Sequence, residues 1–364
     1  MDHVDSEGRV PAKFRQDFPS EMADRDHWVT THCPPGADLA NGLMASAFGL
    51  DPIWRLRLLP VAVGLASVAF LFQSVIRLWG IVRGTLIAVA VAVLPTLSLG
   101  LPSLHQEGYS VALVFVQTGL LLRTLWEPER PPRLLPVSLF LIGFVQGWLS
   151  WDQFFLVSLL AVPWWLLRRA EGENPSFSSL VWMTAAPAAG YALAHILHFW
   201  QVAAELHLQA AVAELHRTGL ERGGLSAATI WLRDVLRASV LCLQWSLKPT
   251  RLMFGPFFGL LLMLALPTAI FSVTKLSFSS RKTGRRRHLV LAWPGNRSSL
   301  PALVAALLVC ALWLIAMPAH VVGNSHYTTR HFITLYLLMA VIVARSLHFP
   351  REEGPPSDAG FTHL

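Results

Sequence analysis

Uncharged apolar runs alternate along the chain with short polar interruptions. The runs at 58–73, 85–101 and 300–317 contain no charged residue. Their lengths match the roughly 20 residues an α-helix needs to cross about 30 Å of hydrocarbon. Lipid offers backbone N–H and C=O groups no partner, so such runs fold as helices. The short alternating segments of a β-barrel do not occur. The pattern predicts an all-α polytopic transmembrane helix bundle of about nine spans, at about 58–76, 84–101, 109–122, 135–149, 153–167, 179–199, 253–274, 300–318 and 331–347. Two further stretches, 204–217 and 230–247, carry charges too often to cross lipid. They are expected as helices lying along the interface.

Basic residues give the bundle a direction. Arg77 and Arg83, then Arg123, Arg130 and Arg133, then Arg168 and Arg169 follow successive spans, and Arg345 and Arg351 follow the last. The segment 275–297 holds a dense basic run, whereas 101–108, 149–152 and 318–329 hold no Lys or Arg. Under the positive-inside rule the N-terminal segment and the loops at 101–108, 149–152, 200–252 and 318–330 are external. The expected organisation is an external segment 1–57 with juxtamembrane helices and a bundle 58–348. The bundle includes an external amphipathic loop at 200–252, and a cytoplasmic tail follows at 349–364.

Composition agrees. Of 364 residues, 54% are hydrophobic and 14% charged, against about 25% charged in soluble domains. The net charge of +7 collects beside apolar segments. The run Arg281, Lys282, Arg285, Arg286, Arg287 therefore reads as a cytoplasmic loop facing lipid head groups, with no nucleic-acid partner. The 14 tryptophans suit aromatic belts at the interfaces. Cys33, Cys242 and Cys310 have no metal-site spacing, and an odd count argues against a disulfide scaffold. Among His195, His198, His207 and His216, only the first two share a helix face, and no third ligand accompanies them. No apolar signal-peptide core occurs in the first 50 residues.

Chemistry-bearing residues concentrate in the external segments. The N-terminal segment carries Asp17, Asp24, Asp26, His27-Trp28 and His32-Cys33-Pro34-Pro35. An amphipathic stretch 39–48, Gly49, Arg55 and Arg57 follow. Further on come Leu78-Trp79-Gly80 with Pro95, then Leu104-His105-Gln106-Glu107-Gly108, and Asn324-Ser325-His326-Tyr327-Thr328-Thr329-Arg330 ahead of the last span. In this order, over about residues 15–345, they resemble the polyprenyl-phosphate-dependent glycosyltransferases of the GT-C class. The nearest branch contains the protein O-mannosyltransferases and lipid A aminoarabinose transferases. The resemblance implies transfer of a sugar from a polyprenyl-phosphate donor to an acceptor at the external face of a bacterial inner (plasma) membrane. Inversion at the sugar and a divalent metal ion are implied by the family alone. Gly147-Trp148-Leu149-Ser150-Trp151-Asp152 stands where the family often has a Thr-Lys pair. The family's first helix is expected upstream of this sequence, unless the first span exports the tail.

Sugar transfer from a lipid phosphate requires a carboxylate to orient or deprotonate the acceptor and cations to stabilise the departing phosphate. Asp17 and Glu107 are the expected catalytic carboxylates, with Asp5 and Glu7 as alternatives to Asp17. His32, His326, Arg330 and Asp152 are the expected substrate-binding residues; metal ligands are left unassigned. Each also has a plain structural role open to it. The aspartates suit a solvated tail, His32 a stiff turn before Pro34-Pro35, and Glu107 and Asp152 helix caps. His326 and Arg330 suit the interface. Competing functions are a polytopic transporter or lipid flippase, disfavoured by the lack of an internal repeat and of midspan charge, and an inactive truncated GT-C relative.

Overall fold

The computed structural model describes residues 36–49, 55, 57–92, 106–128, 134–150, 153–223, 228–247, 254–271, 273–279, 286–294, 297–323 and 329–347. Its helices are α1 (Gly36–Phe48), α2 (Leu58–Trp79), α3 (Ile81–Ala92), α4 (Gln106–Trp126), α5 (Leu135–Leu149), α6 (Phe154–Leu159), α7 (Ala161–Ala170), α8 (Phe177–Leu206), α9 (Leu208–Gly223), α10 (Ala228–Leu247) and α11 (Phe254–Phe271). A hairpin of β1 (Val273–Ser279) and β2 (Arg286–Ala292) precedes α12 (Leu300–Ala316) and α13 (Pro318–Gly323). A 3₁₀ turn (Thr329–Phe332) leads into α14 (Ile333–Ser346).

α2, α4 and α8 contain windows of 22, 19 and 28 residues that are long and apolar enough to cross a membrane. α3, α5, α11, α12 and α14 are apolar but shorter. The expected span 153–167 divides into α6 and α7. Leu160 between them keeps a helical backbone (φ −54°, ψ −32°), but Pro163 has no N–H to offer the carbonyl of Leu159.

The bundle surface has the polarity of a lipid-facing one. On α5, Val137, Leu141 and Val145 recur every fourth residue and are 53%, 53% and 42% exposed, whereas Leu139, Ile142 and Gln146 on the opposite side are buried. Met263 and Ile270 on α11, Leu307 and Leu308 on α12 and Trp182 on α8 are likewise exposed. So much contiguous apolar surface belongs against lipid or another apolar partner.

α14 is the central strut. Every residue of it except Arg345 is buried, with α3, α11 and α12 packed around it. A helix apolar all round belongs in a bundle interior or in lipid, and α14 takes the interior.

The most extensive helix pairing, α5 with α8, rests on Gly143-x-x-x-Gly147. A Cβ on Gly143 would lie 2.0 Å from the Pro187 carbonyl oxygen, and one on Gly147 2.7 Å from that of Tyr191. From the other side, a Cβ on Gly190 would lie 2.0 Å from the Phe140 carbonyl oxygen. Small residues let backbones approach closely where lipid supplies no hydrophobic drive.

Two local features depart from the expected pattern. In a chain expected to be all-α, the segment expected as a basic loop contains the antiparallel hairpin, in register from Val273 opposite Ala292 to Ser279 opposite Arg286. The amphipathic helix expected at 204–217 is interrupted at His207, whose φ is 79°. Its imidazole Nδ1 accepts the Ala210 N–H at 3.2 Å and caps α9. The capping bond offsets part of the roughly 1–3 kcal/mol that such a backbone costs.

Contacts sort the helix ends into two faces. At one end, Trp79 of α2 meets Trp126 of α4 edge to face at 5.5 Å, Arg77 pairs with Glu127 at 2.7 Å, and Arg297 N–H reaches the Ala170 carbonyl. There Glu171 accepts from Arg345, from the Trp126 indole at 2.9 Å and from Arg168 at 3.0 Å. The Arg345 guanidinium lies 5.1, 6.0 and 5.8 Å from the ring centres of Trp79, Trp126 and Trp293. Burial lowers the pKa of Arg168, with Glu173 acting in the opposite sense. The other end gathers α1, the end of α5 and the elements around Trp313.

Candidate functional site

The α4 and α14 C-terminal ends meet at the Arg345 cluster, so their N-terminal ends point to the far side of the bundle. At 1.5 Å per residue, Glu107 stands about 28 Å from that cluster along α4. Along α14 and the 3₁₀ turn, Arg330 stands about 24 Å from it. Both heights approach the thickness of a bilayer core. Glu107 lies in the first turn of α4 and Arg330 in the 3₁₀ turn; their side chains lie outside the described residues. Asp17, His32, Asp152 and His326 lie wholly outside them.

The flanks of these positions are well defined. Two residues after Glu107, the Tyr109 hydroxyl donates to Asn41 of α1 at 3.4 Å. Three residues after it, the Ser110 hydroxyl donates to Gln146 Oε1 at 3.0 Å, and Gln146 Nε2 returns a bond to the Ser110 carbonyl at 2.8 Å. Both side chains are fully buried, so this two-way bond fixes the α4 terminus against α5. α1 closes over the same place. Ala37, Tyr109 and Leu149 form one apolar cluster, and Gly36 sits so close to Trp148 that a Cβ would meet its carbonyl oxygen at 2.6 Å.

Ser150 and Gln153, on either side of Asp152 in the sequence, are joined through one hydroxyl. Tyr191 donates to the Ser150 carbonyl and accepts the Gln153 N–H at 3.1 Å. Two residues beyond Gln153, Phe155 packs against a cluster of Ala238, Cys242, Trp313, Leu314 and Val321, and Phe332 packs there too. His331, next to Arg330, stacks on Trp313 at 5.3 Å with an interplanar angle of 17°. Its carbonyl accepts the Cys310 thiol at 3.0 Å. A continuous set of contacts thus runs from the start of α4 through 149–155 to the 3₁₀ turn.

α10 closes this end. Trp231 Nε1 donates to the Ile315 carbonyl at 2.9 Å, and Cys242 packs with Trp313. About 16 Å of α10 therefore covers only a turn or so of α12, the geometry of a helix lying across the bundle end. Burial pushes the Cys242 thiol up to about 12, so it stays protonated and inert.

Among the described residues no group of three or more His, Cys, Asp or Glu side chains is placed to hold a metal ion. His195 and His198 stand one turn apart on α8 near Tyr191, whose ring is 4.8 Å from that of His195. The sequence reading did not single out Gln146, Ser110 or Tyr191, and it named Gly147 without pairing it with Gly143. Gly-x-x-x-Gly in an apolar run was the available signal for the glycines.

The described residues define a helical bundle of membrane-protein character, with an Arg–Trp end and an opposite end that gathers the flanks of Glu107, Asp152 and Arg330. No protein-family model, curated protein or solved structure matches the chain.

Proposed function

We propose that the protein is a membrane glycosyltransferase that moves a sugar from a polyprenyl-phosphate donor to an acceptor at the bundle end carrying Glu107 and Arg330. The supporting observation is that the α4 terminus, the Tyr191-linked Ser150 and Gln153, and the 3₁₀ turn lie at the same end of the bundle. These flank a carboxylate, a second carboxylate and a cation. The proposal includes about nine crossings and a bacterial inner membrane, with the N-terminal segment and this end outside.

In the reaction, an acceptor hydroxyl oxygen bonds to the anomeric carbon as the bond from that carbon to the phosphate oxygen breaks. The hydroxyl proton passes to a carboxylate, Glu107 or Asp17, and the phosphate leaves on its polyprenyl chain. Arg330 and His326 stabilise its developing charge. His32 and Asp152 contact the sugar or acceptor. The divalent ion implied by the family resemblance enters no step here.

The test is release of polyprenyl phosphate from a labelled polyprenyl-phosphate sugar by the reconstituted protein. Turnover that falls at least about a hundredfold in Glu107→Ala or Asp17→Ala supports the assignment. Equal turnover in both variants refutes the site. No turnover in the parent protein, with lipid movement across the bilayer, favours a flippase.

A further inference from the structure

Among the described residues, the Arg–Trp end has more positive charge than its carboxylates engage. Glu171 spends both oxygens on Arg345, Arg168 and Trp126, and Arg77 holds Glu127. Arg123 rests on the neutral oxygens of Ser74 and Gln73 at 2.9 and 3.1 Å. Arg83 makes no ion pair among the described residues. Its Nε is buried without a hydrogen-bond partner, as is the indole Nε1 of Trp79. The positive charge of Arg345 lies near enough to Arg83 to interact with it. Orphaned donors beside unneutralised cations call for an acceptor-rich anion.

An apolar groove leads to this spot. Val68, Leu71, Phe72 and Val75 of α2 line one wall, and Ile87, Ala88 and Val91 of α3 the other. Arg83, Ile87 and Val91 recur every fourth residue and share a face of α3; Leu71, Val75 and Trp79 do the same on α2. Arg83 and Trp79 therefore stand one turn beyond the groove, at the bundle end. The first turn of α3 adds the positive end of its dipole.

We propose that this is a binding site for an anionic phospholipid, with an acyl chain lying over the shallow apolar α2–α3 crevice and the phosphate on Arg83 and the Trp79 indole N–H. Charge complementarity selects the head group, and the groove selects a lipid over a free anion. The site is independent of the glycosyl-transfer proposal and lies at the other end of the bundle.

Native mass spectrometry of the full-length protein in mild detergent tests it, with phosphatidylglycerol, phosphatidylcholine and inorganic phosphate as separate probes. The protein is expected to retain phosphatidylglycerol in preference to phosphatidylcholine. Arg83→Gln is expected to weaken phosphatidylglycerol about fivefold to tenfold and to leave phosphatidylcholine unchanged. Arg83→Lys retains the charge and most of the affinity. Ala88→Trp, which fills the groove and spares Arg83, weakens phosphatidylglycerol as well. Arg169→Gln, whose guanidinium stacks on Trp165 at 4.9 Å, changes nothing. Unchanged phosphatidylglycerol retention in folded Arg83→Gln overturns the site. Should Arg83→Gln not fold, unchanged retention in Ala88→Trp does so. Arg83-dependent capture of inorganic phosphate, with Ala88→Trp without effect on the lipid, also overturns the lipid assignment.

Discussion

Replacing Glu171 by Leu tests what holds the Arg–Trp end together. Its side chain is 6% exposed, and those of Arg345 and Arg168 are 14% and 16%, so solvent screens these pairs little. Removing the carboxylate leaves Arg345 a buried cation without its counter-ion, a loss of about 3–5 kcal/mol. The orphaned Trp126 N–H adds about 1 kcal/mol or more. The three indoles around Arg345 retain about 1–2 kcal/mol of cation–π attraction, and Arg168 keeps the Leu125 carbonyl at 3.1 Å. The last two are present in parent and variant alike and cancel, so the net loss is about 4–6 kcal/mol, a large fraction of the roughly 5–15 kcal/mol available to a folded domain. Glu171→Leu combined with Arg345→Met removes both charges and should cost under about 2 kcal/mol. Reversible unfolding in mixed detergent micelles, followed for both single variants and the double, measures this. A Glu171→Leu loss under about 1 kcal/mol, or a double-variant loss equal to the sum of the singles, refutes the reasoning.

Gly143→Ala and Gly190→Ala each drive a methyl group into a backbone carbonyl, so each should cost about 2 kcal/mol or more and lower the thermal midpoint in detergent. At the exposed Gly42, where a Cβ meets nothing within 4 Å, the same change should be nearly silent. Tyr191→Phe releases both Ser150 and Gln153 and should cost about 1–2 kcal/mol. In a turnover assay it should reduce transfer more than its loss of stability explains, and unchanged turnover would detach that pair from the site.

The helical regions were legible in the sequence because uncharged runs have one solution in lipid. The run 58–76, the described part (84–92) of the run 84–101, the apolar 300–316 and the amphipathic 230–247 all fall in helices. What was not legible depends on partners far along the chain. The burial of α14 is set by neighbours on α3, α11 and α12, not by its own composition. The break at His207 needs a backbone angle no periodicity announces, together with a ring nitrogen positioned to cap. Gln146 and Ser110 look like stray polar residues until the folded chain pairs them across 36 positions. Arg345 is in sequence only a basic residue at the end of the last span, yet with Glu171 it forms the most enclosed ion pair among the described residues. Of the expected site residues, Glu107 and Arg330 fall on described backbone at the same end of the bundle. The others lie outside the described residues.

Both the catalytic proposal and the lipid site need the two ends to face opposite sides of a membrane. In a background lacking Cys33, Cys242 and Cys310, single cysteines at Leu39 and Glu173, each 58% exposed, report on one end apiece. A membrane-impermeant maleimide applied to sealed, uniformly oriented vesicles should label one of the two, and the other only after the vesicles are opened. Labelling of both from the same side would contradict the account.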